Sequence, residues 1–380
     1  MKYSVIGAYG CGNVGDEAIL EGIITGIRSR DPNAEIVAFA ADQDYVESLY
    51  GISTVSQLLG RGLTLNVWRE FDFLGILRTI LSSDKVIIGG GSIIHDHTSY
   101  NLIYYCLLAS LAKLSGSKVY LMGVSIARIR TRLGKVLARR LFRISEHITV
   151  RDQLSYRHAK ELSNSLNFQV QKDFAFMNLV SSLSQKASTL IPFPLPDNFI
   201  AFNVCGWFHS KQYWQPDSDL FMDRVSWTSS FVDRLIEEYR TSIVFINTVV
   251  HQDADTCRRI KKKSAYPDKI IIIEQILSPY QIKEILSCAD LLIGMRLHAI
   301  IFAVLTGTPF VPIIYDEKVE AFVNELDIPD IHSVSIEDLP ITDKLIDTVR
   351  SVFHNKNELT HRLIERAKEY HNSIQNGFHI

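Results

Sequence analysis

The chain has 380 residues, enough for two domains of ordinary size, and its content of 47% hydrophobic and 22% charged residues is typical of globular proteins. A net charge of -2 argues against a nucleic-acid-binding protein, and five cysteines without Cys-x-x-Cys spacing argue against a disulfide scaffold or a zinc site. No run of about twenty apolar residues occurs, and residues 1–10 predict a strand entering a glycine-rich loop in place of a signal peptide. We therefore expect a cytoplasmic protein.

Segments of strand length alternate with segments of helical periodicity along most of the chain, which is typical of parallel βαβ units. The first half contains predicted strands at residues 2–7, 34–40, 85–88, 118–122 and 147–150. The second half contains predicted strands at residues 199–204, 243–247, 269–273, 290–293 and 310–314. The predicted fold class is α/β, with two doubly wound Rossmann-like domains that face each other across a cleft.

The alternation is interrupted once, and this interruption predicts the domain boundaries. Residues 181–198 contain serines and three prolines and are typical of an interdomain linker. We therefore predict an N-terminal α/β domain at residues 1–180 and a C-terminal α/β domain at residues 199–350. Residues 351–380 carry a final helix, which we expect to pack back on the first domain.

The loop after the first strand contains Gly10-x-Gly12-x-x-Gly15, which matches a dinucleotide-binding fingerprint. Asp16 and Glu17 follow at the start of the next helix, however, where their carboxylates would repel a pyrophosphate. One alternative is a turn that only caps the helix. The other is a loop that contacts a polar acceptor, in which Asn13, Asp16 and Glu17 offer hydrogen bonds to hydroxyl groups.

A second glycine turn, Gly89-Gly90-Gly91-Ser92, follows the strand at residues 85–88. Backbone N–H groups in such a turn can bind an anion or a sugar oxygen, whereas a turn that only permits close packing would use the same residues. Asp96 comes shortly afterwards and is a candidate polar residue at the same edge of the sheet.

The segment 128–143 is strongly basic and contains no acidic residue. Its basic residues are Arg128, Arg130, Arg132, Lys135, Arg139, Arg140 and Arg143. With apolar residues on another face, the predicted helix resembles an interfacial helix, although an ordinary solvated face would have the same pattern. Contact with anionic lipid would place the protein at the inner face of a membrane as a peripheral protein.

Four further residues follow predicted strands directly or closely: Arg151, Arg296, His298 and Lys318. Arg296 and His298 lie where a strand passes into a helix, and a helix N-terminus presents N–H groups and a positive dipole end to anions. Ligands of open α/β folds bind at the carboxyl edge of the sheet. These residues therefore predict an anion site that includes one titratable imidazole.

Five short motifs occur in a fixed order along most of the chain. They are Gly10-Cys-Gly-Asn-Val-Gly-Asp-Glu17, Gly89-Gly-Gly-Ser92 with His95-Asp96, Val150-Arg-Asp-Gln-Leu-Ser155, Met295-Arg-Leu-His298 and Tyr315-Asp-Glu-Lys318. Each motif is unspecific by itself, but the ordered set resembles the polysaccharide pyruvyl transferase family. The chain departs from the family at Asp173-Phe174, where Asp-Pro is usual, and at Val124-Ser-Ile-Ala127, where glycines and a proline are usual.

The resemblance implies a fold like that of two-domain GT-B glycosyltransferases. It also implies transfer of a pyruvyl group from phosphoenolpyruvate to a sugar of a lipid-linked or polymeric glycan, as a ketal, with release of phosphate. Arg151, Arg296 and Lys318 would bind phosphoenolpyruvate, and His298 would act as acid and base, since imidazole titrates near neutral pH.

On the same resemblance, the N-terminal domain would form the acceptor side and contribute Arg151, and the C-terminal domain would bind phosphoenolpyruvate. The acceptor-side residues would be Gly12, Asn13, Asp16, Glu17, Gly90, Gly91 and Asp96. No cofactor, metal or nucleic-acid partner is expected.

Two other functions compete with this one. The first is a GT-B-type glycosyltransferase, in which Arg296 and Lys318 would hold the pyrophosphate of a nucleotide sugar. The second is a non-enzymatic protein that binds glycan within a polysaccharide assembly complex.

Overall fold

The computed structural model describes residues 1–57, 72–96, 99–179, 191, 193–206, 218–328, 333–336 and 342–380. The chain forms two compact units, of which the first comprises Met1–Asn178 with Tyr370–Ile380 and the second comprises Leu179–Glu369. Most of the predicted linker at residues 181–198 lies outside the described residues. Of the predicted C-terminal segment, Tyr370–Ile380 groups with the first unit and the preceding residues group with the second.

The first unit is built on a parallel sheet of seven strands. The strands are β1 (Lys2–Tyr9), β2 (Glu35–Ala40), β3 (Ser53–Ser56), β4 (Lys85–Gly89), β5 (Lys118–Val124), β6 (His147–Val150) and β7 (Gln169–Val170). The helices are α1 (Val14–Arg30), α2 (Gln43–Tyr50), α3 (Phe73–Leu81), α4 (Ser99–Leu114), α5 (Arg132–Ile144) and α6 (Gln153–Leu162), followed by a 3-10 turn at Phe174–Met177. The strand order is β3-β2-β1-β4-β5-β6-β7.

The second unit is built on a parallel sheet of six strands. The strands are β8 (Phe199–Asn203), β9 (Ser242–Phe245), β10 (Ile270–Ile272), β11 (Leu291–Gly294), β12 (Phe310–Ile314) and β13 (Val334–Ser335). The helices are α7 (Ser218–Tyr239), α8 (Val250–Lys263), α9 (Pro279–Cys288), α10 (Leu297–Thr306), α11 (Glu317–Leu326), α12 (Thr342–His354) and α13 (Lys356–Gly377), with a 3-10 turn at Pro267–Lys269. The strand order is β10-β9-β8-β11-β12-β13, and the predicted α/β class with two parallel sheets is confirmed.

Each sheet has one point at which the strand order reverses. In the first sheet this point lies between β1 and β4, which pair from Tyr3↔Lys85 to Ile6↔Ile88. In the second sheet it lies between β8 and β11, which pair from Leu291↔Ile200 to Gly294↔Asn203. Because the crossovers are right-handed, the helices change face at such a point and leave a crevice outside the carboxyl ends of the strands, where open α/β folds bind ligands.

Helices α3, α4, α5 and α6 cover one face of the first sheet. Their apolar residues join one buried cluster with alternate strand residues, for example Val86 and Ile88 of β4. Alternation along a strand selects one face of the sheet, so the four helices lie side by side on that face. The opposite sides of these helices therefore point away from the sheet.

The basic helix is shorter than the sequence predicts. We predicted a helix over residues 128–143, whereas α5 begins at Arg132. Thr131 is its N-cap and accepts a hydrogen bond from Gly134 N–H at 3.1 Å. Asp96 Oδ2 accepts hydrogen bonds from the N–H groups of Arg130 and Thr131 at 2.8 and 2.6 Å. These two residues thus have their N–H groups bound from outside the helix, and this contact cannot be predicted from helical periodicity.

Aromatic residues attach the end of the chain to the first unit. Phe378 is buried against Phe174, with ring centroids 5.6 Å apart and nearly perpendicular planes, and it also covers Gly26 of α1. Tyr370 packs edge-on against Phe176 at 5.1 Å. The closing residues of the chain are therefore part of the core of the first unit.

We expect Phe378→Ala to destabilise the protein by about 3–5 kcal/mol, because truncating a buried phenylalanine removes apolar contacts and leaves a cavity. Asn372→Ala, at an exposed position of α13 shortly before Phe378, is the matched control and should change stability by less than about 0.5 kcal/mol. Urea unfolding followed by circular dichroism measures both. Equal midpoints for the two variants would show that Phe378 is not a core residue.

Candidate active site

Arg296 is fixed by a carboxylate from the neighbouring helix α8. Its Nε donates to Asp253 Oδ2 at 2.6 Å and its Nη2 donates to Asp253 Oδ1 at 2.7 Å, while Gln252 Oε1 accepts a second bond from Nη2 at 3.1 Å. Burial alone would lower the pKa of Arg296, but charge interactions with Cys205 and Asp253 and the hydrogen bonds to Asp253 raise it above its usual value. The guanidinium is therefore charged and held in one orientation.

The turn that carries Arg296 is tied to β8 by Asn203. Asn203 Oδ1 accepts a hydrogen bond from Arg296 N–H at 2.9 Å, and Asn203 O accepts one from Met295 N–H at 3.1 Å. Asn203 Nδ2 donates to Ile246 O, beyond the end of β9, at 2.8 Å. The fully buried Asn203 thus connects three neighbouring strand ends at the point where the strand order reverses.

His298 and Lys318 are each the second residue of a helix that follows a strand. His298 lies one turn before Phe302 in α10, and the centroids of the two rings are 6.4 Å apart. The His298 side chain is half-buried. Lys318 Nζ lies 3.0 Å from Asp316 Oδ2, while Asp316 Oδ1 caps α11 by accepting a hydrogen bond from Val319 N–H. The charge interaction with Tyr315, which directly follows β12, also acts to raise the pKa of Arg296.

In the first unit, the two predicted glycine loops meet at the point where the strand order reverses. Asn13 caps α1 by accepting a hydrogen bond from Gly15 N–H at 3.1 Å, and its Nδ2 donates to Asp16 Oδ2 at 2.7 Å. Asp16 Oδ1 lies against Gly91, whose φ of 68° and close approach to the carboxylate both require glycine. Asn13, Asp16 and Gly91 therefore form one polar cluster at the carboxyl edge.

Gly12 and Gly90 also have positive φ values, of 75° and 76°. Gly12 lies in the turn immediately before α1. Gly90 lies directly over Ile19 of α1, where any side chain would clash. The close-packing interpretation of the second glycine turn therefore fits Gly90, whereas Gly91 contacts the polar cluster.

Glu17 does not lie open to an acceptor, contrary to our sequence-based placement. Its side chain is only 1% exposed, and its Oε1 accepts a hydrogen bond from Gly10 N–H at 2.6 Å. The pKa of Glu17 is raised to about 8, chiefly by burial. The hydrogen bond from Gly10 N–H acts in the opposite direction, and the charges of Asp16 and Asp42 add to the rise. Glu17 thus holds the first glycine loop from within and is a positioning residue.

Asp96 also binds backbone, through one of its two carboxylate oxygens. Its hydrogen bonds from Arg130 N–H and Thr131 N–H fix the segment that enters α5. Partial burial opposes ionisation, but the hydrogen bonds from Thr131 and Arg130 outweigh it and lower the pKa of Asp96. Asp96 therefore connects the loop after β4 to the start of α5.

Arg151 is buried at the end of β6, with only 6% of its side chain exposed. Its Nη1 donates to Asp173 Oδ2 at 3.2 Å, and its Nε lies 3.6 Å from Asp152 Oδ2. Burial would lower the pKa of Arg151, but Asp173 and Asp152 raise it, and Asp16 contributes in the same direction. The charge of Arg151 is therefore compensated on one side, while its buried Nη2 has no hydrogen-bond partner among the residues that the structure describes.

Our sequence analysis missed the carboxylates and amides that orient the basic residues. These are Asp253, Gln252 and Asn203 in the second unit and Asp173 in the first. Asn203 and Asp173 each lie at or just after a strand end, and this position is the signal by which they could have been found. Within the described ranges, no group of three or more His, Cys, Asp or Glu side chains is placed to bind one metal ion.

Two α/β units with parallel sheets, each with polar residues where the strand order reverses, are features of the GT-B fold, and comparison with solved structures agrees. The chain is similar to UDP-GlcNAc 2-epimerase from Neisseria meningitidis with bound UDP-GlcNAc, at 14% identity and a TM-score of 0.59, over 98% of this chain and 97% of that one. It is similar to Anabaena HepE in complex with UDP and glucose, at 12% identity and a TM-score of 0.57, over 99% of both chains.

A third similar structure is the ADP-heptose heptosyltransferase II of Escherichia coli, at 12% identity and a TM-score of 0.51, over 94% of this chain and all of that one. At these identities the likeness establishes the fold. The family model described as polysaccharide pyruvyl transferase matches residues 13–317. The chain therefore belongs to the polysaccharide pyruvyl transferase family, and the predicted family is confirmed.

The raised pKa of Glu17 predicts a pH-dependent stability. Between its ordinary pKa of 4.5 and about 8, the folded chain keeps a proton that the unfolded chain releases, so stability should fall as the pH rises through this window and level off above it. The loss should reach a few kcal/mol, since one pKa unit corresponds to about 1.4 kcal/mol. Glu17→Gln, which keeps an acceptor for Gly10 N–H and does not titrate, should remove this loss.

Thermal unfolding of both proteins from about pH 5 to about pH 9 measures the difference. Asp44→Asn, at an exposed position on α2, is the control and should follow the wild-type curve. Parallel curves for the wild type and Glu17→Gln across the window would show that Glu17 is ionised in the folded protein.

We expect Asp253→Asn to destabilise the protein by about 3–5 kcal/mol, because Arg296 would keep its buried charge without a compensating carboxylate. Asp255→Asn is the matched control: this exposed carboxylate on the same helix pairs with Arg259, and its loss should cost less than about 1 kcal/mol. Urea unfolding measures both. Removing both charges, in Asp253→Asn with Arg296→Gln, should recover part of the loss, and equal losses for the two single variants would contradict this account.

Proposed function

We propose that the chain transfers the pyruvyl group of phosphoenolpyruvate to a sugar of a lipid-linked or polymeric glycan, forms a cyclic ketal and releases phosphate. The observation that carries this proposal is the pre-oriented Arg296, held at two points by Asp253 in the same turn that carries His298. A fixed cation beside an acid–base group suits a small donor that carries both a carboxylate and a phosphate.

The donor would bind to groups at the carboxyl edge of the second sheet. The contacts to Asp253 and Gln252 leave Nη1 of Arg296 for an anionic oxygen, and the N-terminal turn of α10 lies directly after it. Lys318, at the start of α11, supplies a second positive charge. Arginine grips planar carboxylate and phosphate groups, while lysine acts as a point charge on phosphate.

The reaction requires two additions to the same carbon. A first sugar hydroxyl adds to C2 of phosphoenolpyruvate, and C3 gains a proton to become a methyl group. A second hydroxyl then attacks C2, the bond from C2 to the phosphate oxygen breaks, and phosphate leaves with its electron pair. His298 would take the proton from the attacking hydroxyl and deliver one to C3, and the cations would stabilise charge on the departing phosphate.

The acceptor would bind to the first unit through the polar cluster of Asn13, Asp16 and Gly91. Carboxylate and amide oxygens that stand at a sheet edge accept hydrogen bonds from sugar hydroxyls. Arg151 follows β6 along the same edge and, through an Nη2 that no described residue hydrogen-bonds, would bind an anionic group. Glu17, Gly90 and Asp96 support this cluster by positioning its loops and are not assigned contacts to the sugar.

A second function has a specific observation in its favour. The similar structures from Neisseria meningitidis and Anabaena contain UDP-GlcNAc, and UDP with glucose. If this chain used a nucleotide sugar, Arg296 and Lys318 would hold its pyrophosphate. The family membership favours phosphoenolpyruvate, and the two donors are separable by experiment.

Purified protein incubated with phosphoenolpyruvate and a panel of lipid-linked saccharides should release phosphate and add one pyruvyl group to the acceptor, as read by mass spectrometry. No nucleotide sugar should be consumed. His298→Ala should lower kcat by roughly 100- to 10,000-fold with donor affinity largely retained, since acid–base catalysis contributes about that much. Arg296→Lys should instead raise KM for phosphoenolpyruvate, because lysine cannot make the two-point grip on Asp253.

His354→Ala, at an exposed histidine of the same unit, is the control and should leave both constants unchanged. Consumption of a nucleotide sugar without any pyruvylated product would overturn the proposal in favour of a glycosyltransferase. Binding of glycan without turnover of either donor, and unaffected in His298→Ala, would favour a non-catalytic glycan-binding protein.

A further inference from the structure

The outer sides of three neighbouring helices carry most of the large apolar side chains that the protein leaves exposed. Of thirteen such residues in the described part of the chain, nine lie on α3, α4 and α5. These helices cover one face of the first sheet, so their outer sides form one surface. We call it the α3–α5 surface. A concentration of this kind marks an interaction site rather than ordinary scatter.

Helix α4 contributes a continuous apolar stripe. Tyr100, Ile103 and Leu107 recur at spacings of three and four residues, and each is about half exposed. The opposite side of the same helix, with Leu102 and Leu108, is buried in the core. A helix that is apolar on both its inner and outer sides is expected where a second apolar environment covers it.

The flanking helices extend this stripe. Phe73 and Leu74 lie at the start of α3, and Leu133 and Val136 lie in the first turns of α5, all 54–59% exposed. Because α4 and α5 follow β4 and β5, their first turns lie near the carboxyl edge of the sheet. The apolar part of the surface therefore adjoins the loops that hold Asn13, Asp16 and Gly91.

The α3–α5 surface also carries a single sign of charge. The three helices contain no Asp or Glu, although the whole chain has a net charge of -2. Their basic residues are Arg78, Lys113, Arg132, Lys135, Arg139, Arg140 and Arg143. Among the described acids that flank these helices in the sequence, Asp72 caps α3, Asp96 binds backbone before α5, and Glu146 pairs with Lys113.

We propose that the α3–α5 surface docks the protein on an anionic lipid bilayer, with its apolar side chains in the interfacial layer and its basic side chains against lipid phosphates. Charge complementarity selects this occupant: a second copy of the chain would bring two basic surfaces together, whereas an anionic bilayer compensates both charge and apolar exposure. No helix among the described residues is long and apolar enough to cross a membrane, so docking would be peripheral. If the proposed function holds, such docking would bring the head of a lipid-linked acceptor to the adjoining loops; this last step rests on the proposed function.

The test is flotation of the full chain with vesicles of phosphatidylcholine alone and of an equimolar mixture with phosphatidylglycerol. The wild type should bind the mixed vesicles and not the neutral ones. Binding should weaken as NaCl rises from about 0.1 M to about 1 M, because the screening length falls from about 10 Å to about 3 Å. This readout is independent of catalysis, so it can fail while the proposed function holds.

Four variants, two of them controls, separate the contribution of this surface from that of net charge and of exposed apolar residues elsewhere. Arg132→Gln with Lys135→Gln and Arg143→Gln should lower the vesicle partition constant by about fivefold for each residue, and so by roughly 100-fold. Lys262→Gln with Lys263→Gln and Lys269→Gln removes the same charge from the second unit and should bind like the wild type. Leu107→Ser with Leu133→Ser should weaken binding in high salt, whereas Ile276→Ser should not.

Hydrogen exchange of the wild type with and without mixed vesicles gives a second measurement that needs no variant. Protection is expected in α4 and α5 and not in residues 261–269. Equal losses in the two triple-charge variants, or no binding to mixed vesicles at low salt, would overturn the proposal. The surface would instead be assigned to a second copy of the chain if two results were found together. The wild type would self-associate without binding vesicles, and Leu107→Ser with Leu133→Ser would abolish the self-association.

Discussion

The two-point ion pair between Arg296 and Asp253 is the interaction on which the site of the second unit depends. Removing opposite charges from water is costly, and the cost is offset only when the geometry of the pair is good and its other polar atoms are bonded. Asp253 meets this condition from the first turn of α8, and Asn203 bonds the Arg296 turn to the ends of β8 and β9. Three strand ends and one helix are thereby locked together, so the cation needs no rearrangement before it acts.

The first unit uses its carboxylates in two different ways. Glu17 and Asp96 are turned toward backbone N–H groups and hold the loops after β1 and β4, whereas Asp16 remains in the polar cluster with Asn13. Burial of Glu17 keeps its proton near neutral pH, which limits the negative charge next to Asp16. Asp16 and Glu17 are therefore adjacent in one motif but make different contacts: Asp16 bonds Asn13 in the polar cluster, and Glu17 bonds Gly10 N–H in the loop.

Charge is distributed unevenly over a chain that is almost neutral as a whole. Most of the exposed large apolar side chains of the described residues lie on α3, α4 and α5, and these helices carry seven basic residues and no acid. Asp96 links this surface to the candidate site, because it belongs to the loop after β4 and binds the residues that lead into α5.

The sequence by itself determined the α/β class, ten of the thirteen strands in the described residues, the family and the edge of the sheet at which the polar residues lie, whereas the short strands β3, β7 and β13 were not predicted. Strand and helix periodicity and glycine turns are local properties, and they were sufficient to place Asn13, Asp16, Arg151, Arg296, His298 and Lys318 after strands. Only the tertiary structure decided which carboxylates face which partners. Asp253 is 43 residues from Arg296, and Asp96 is 34 and 35 residues from the two N–H groups that it binds. Contacts of this range depend on which strands are neighbours in the sheet. Sequence periodicity therefore predicted that the basic helix begins four residues before its actual start. It also could not show that the Glu17 carboxylate is turned inward to Gly10 N–H.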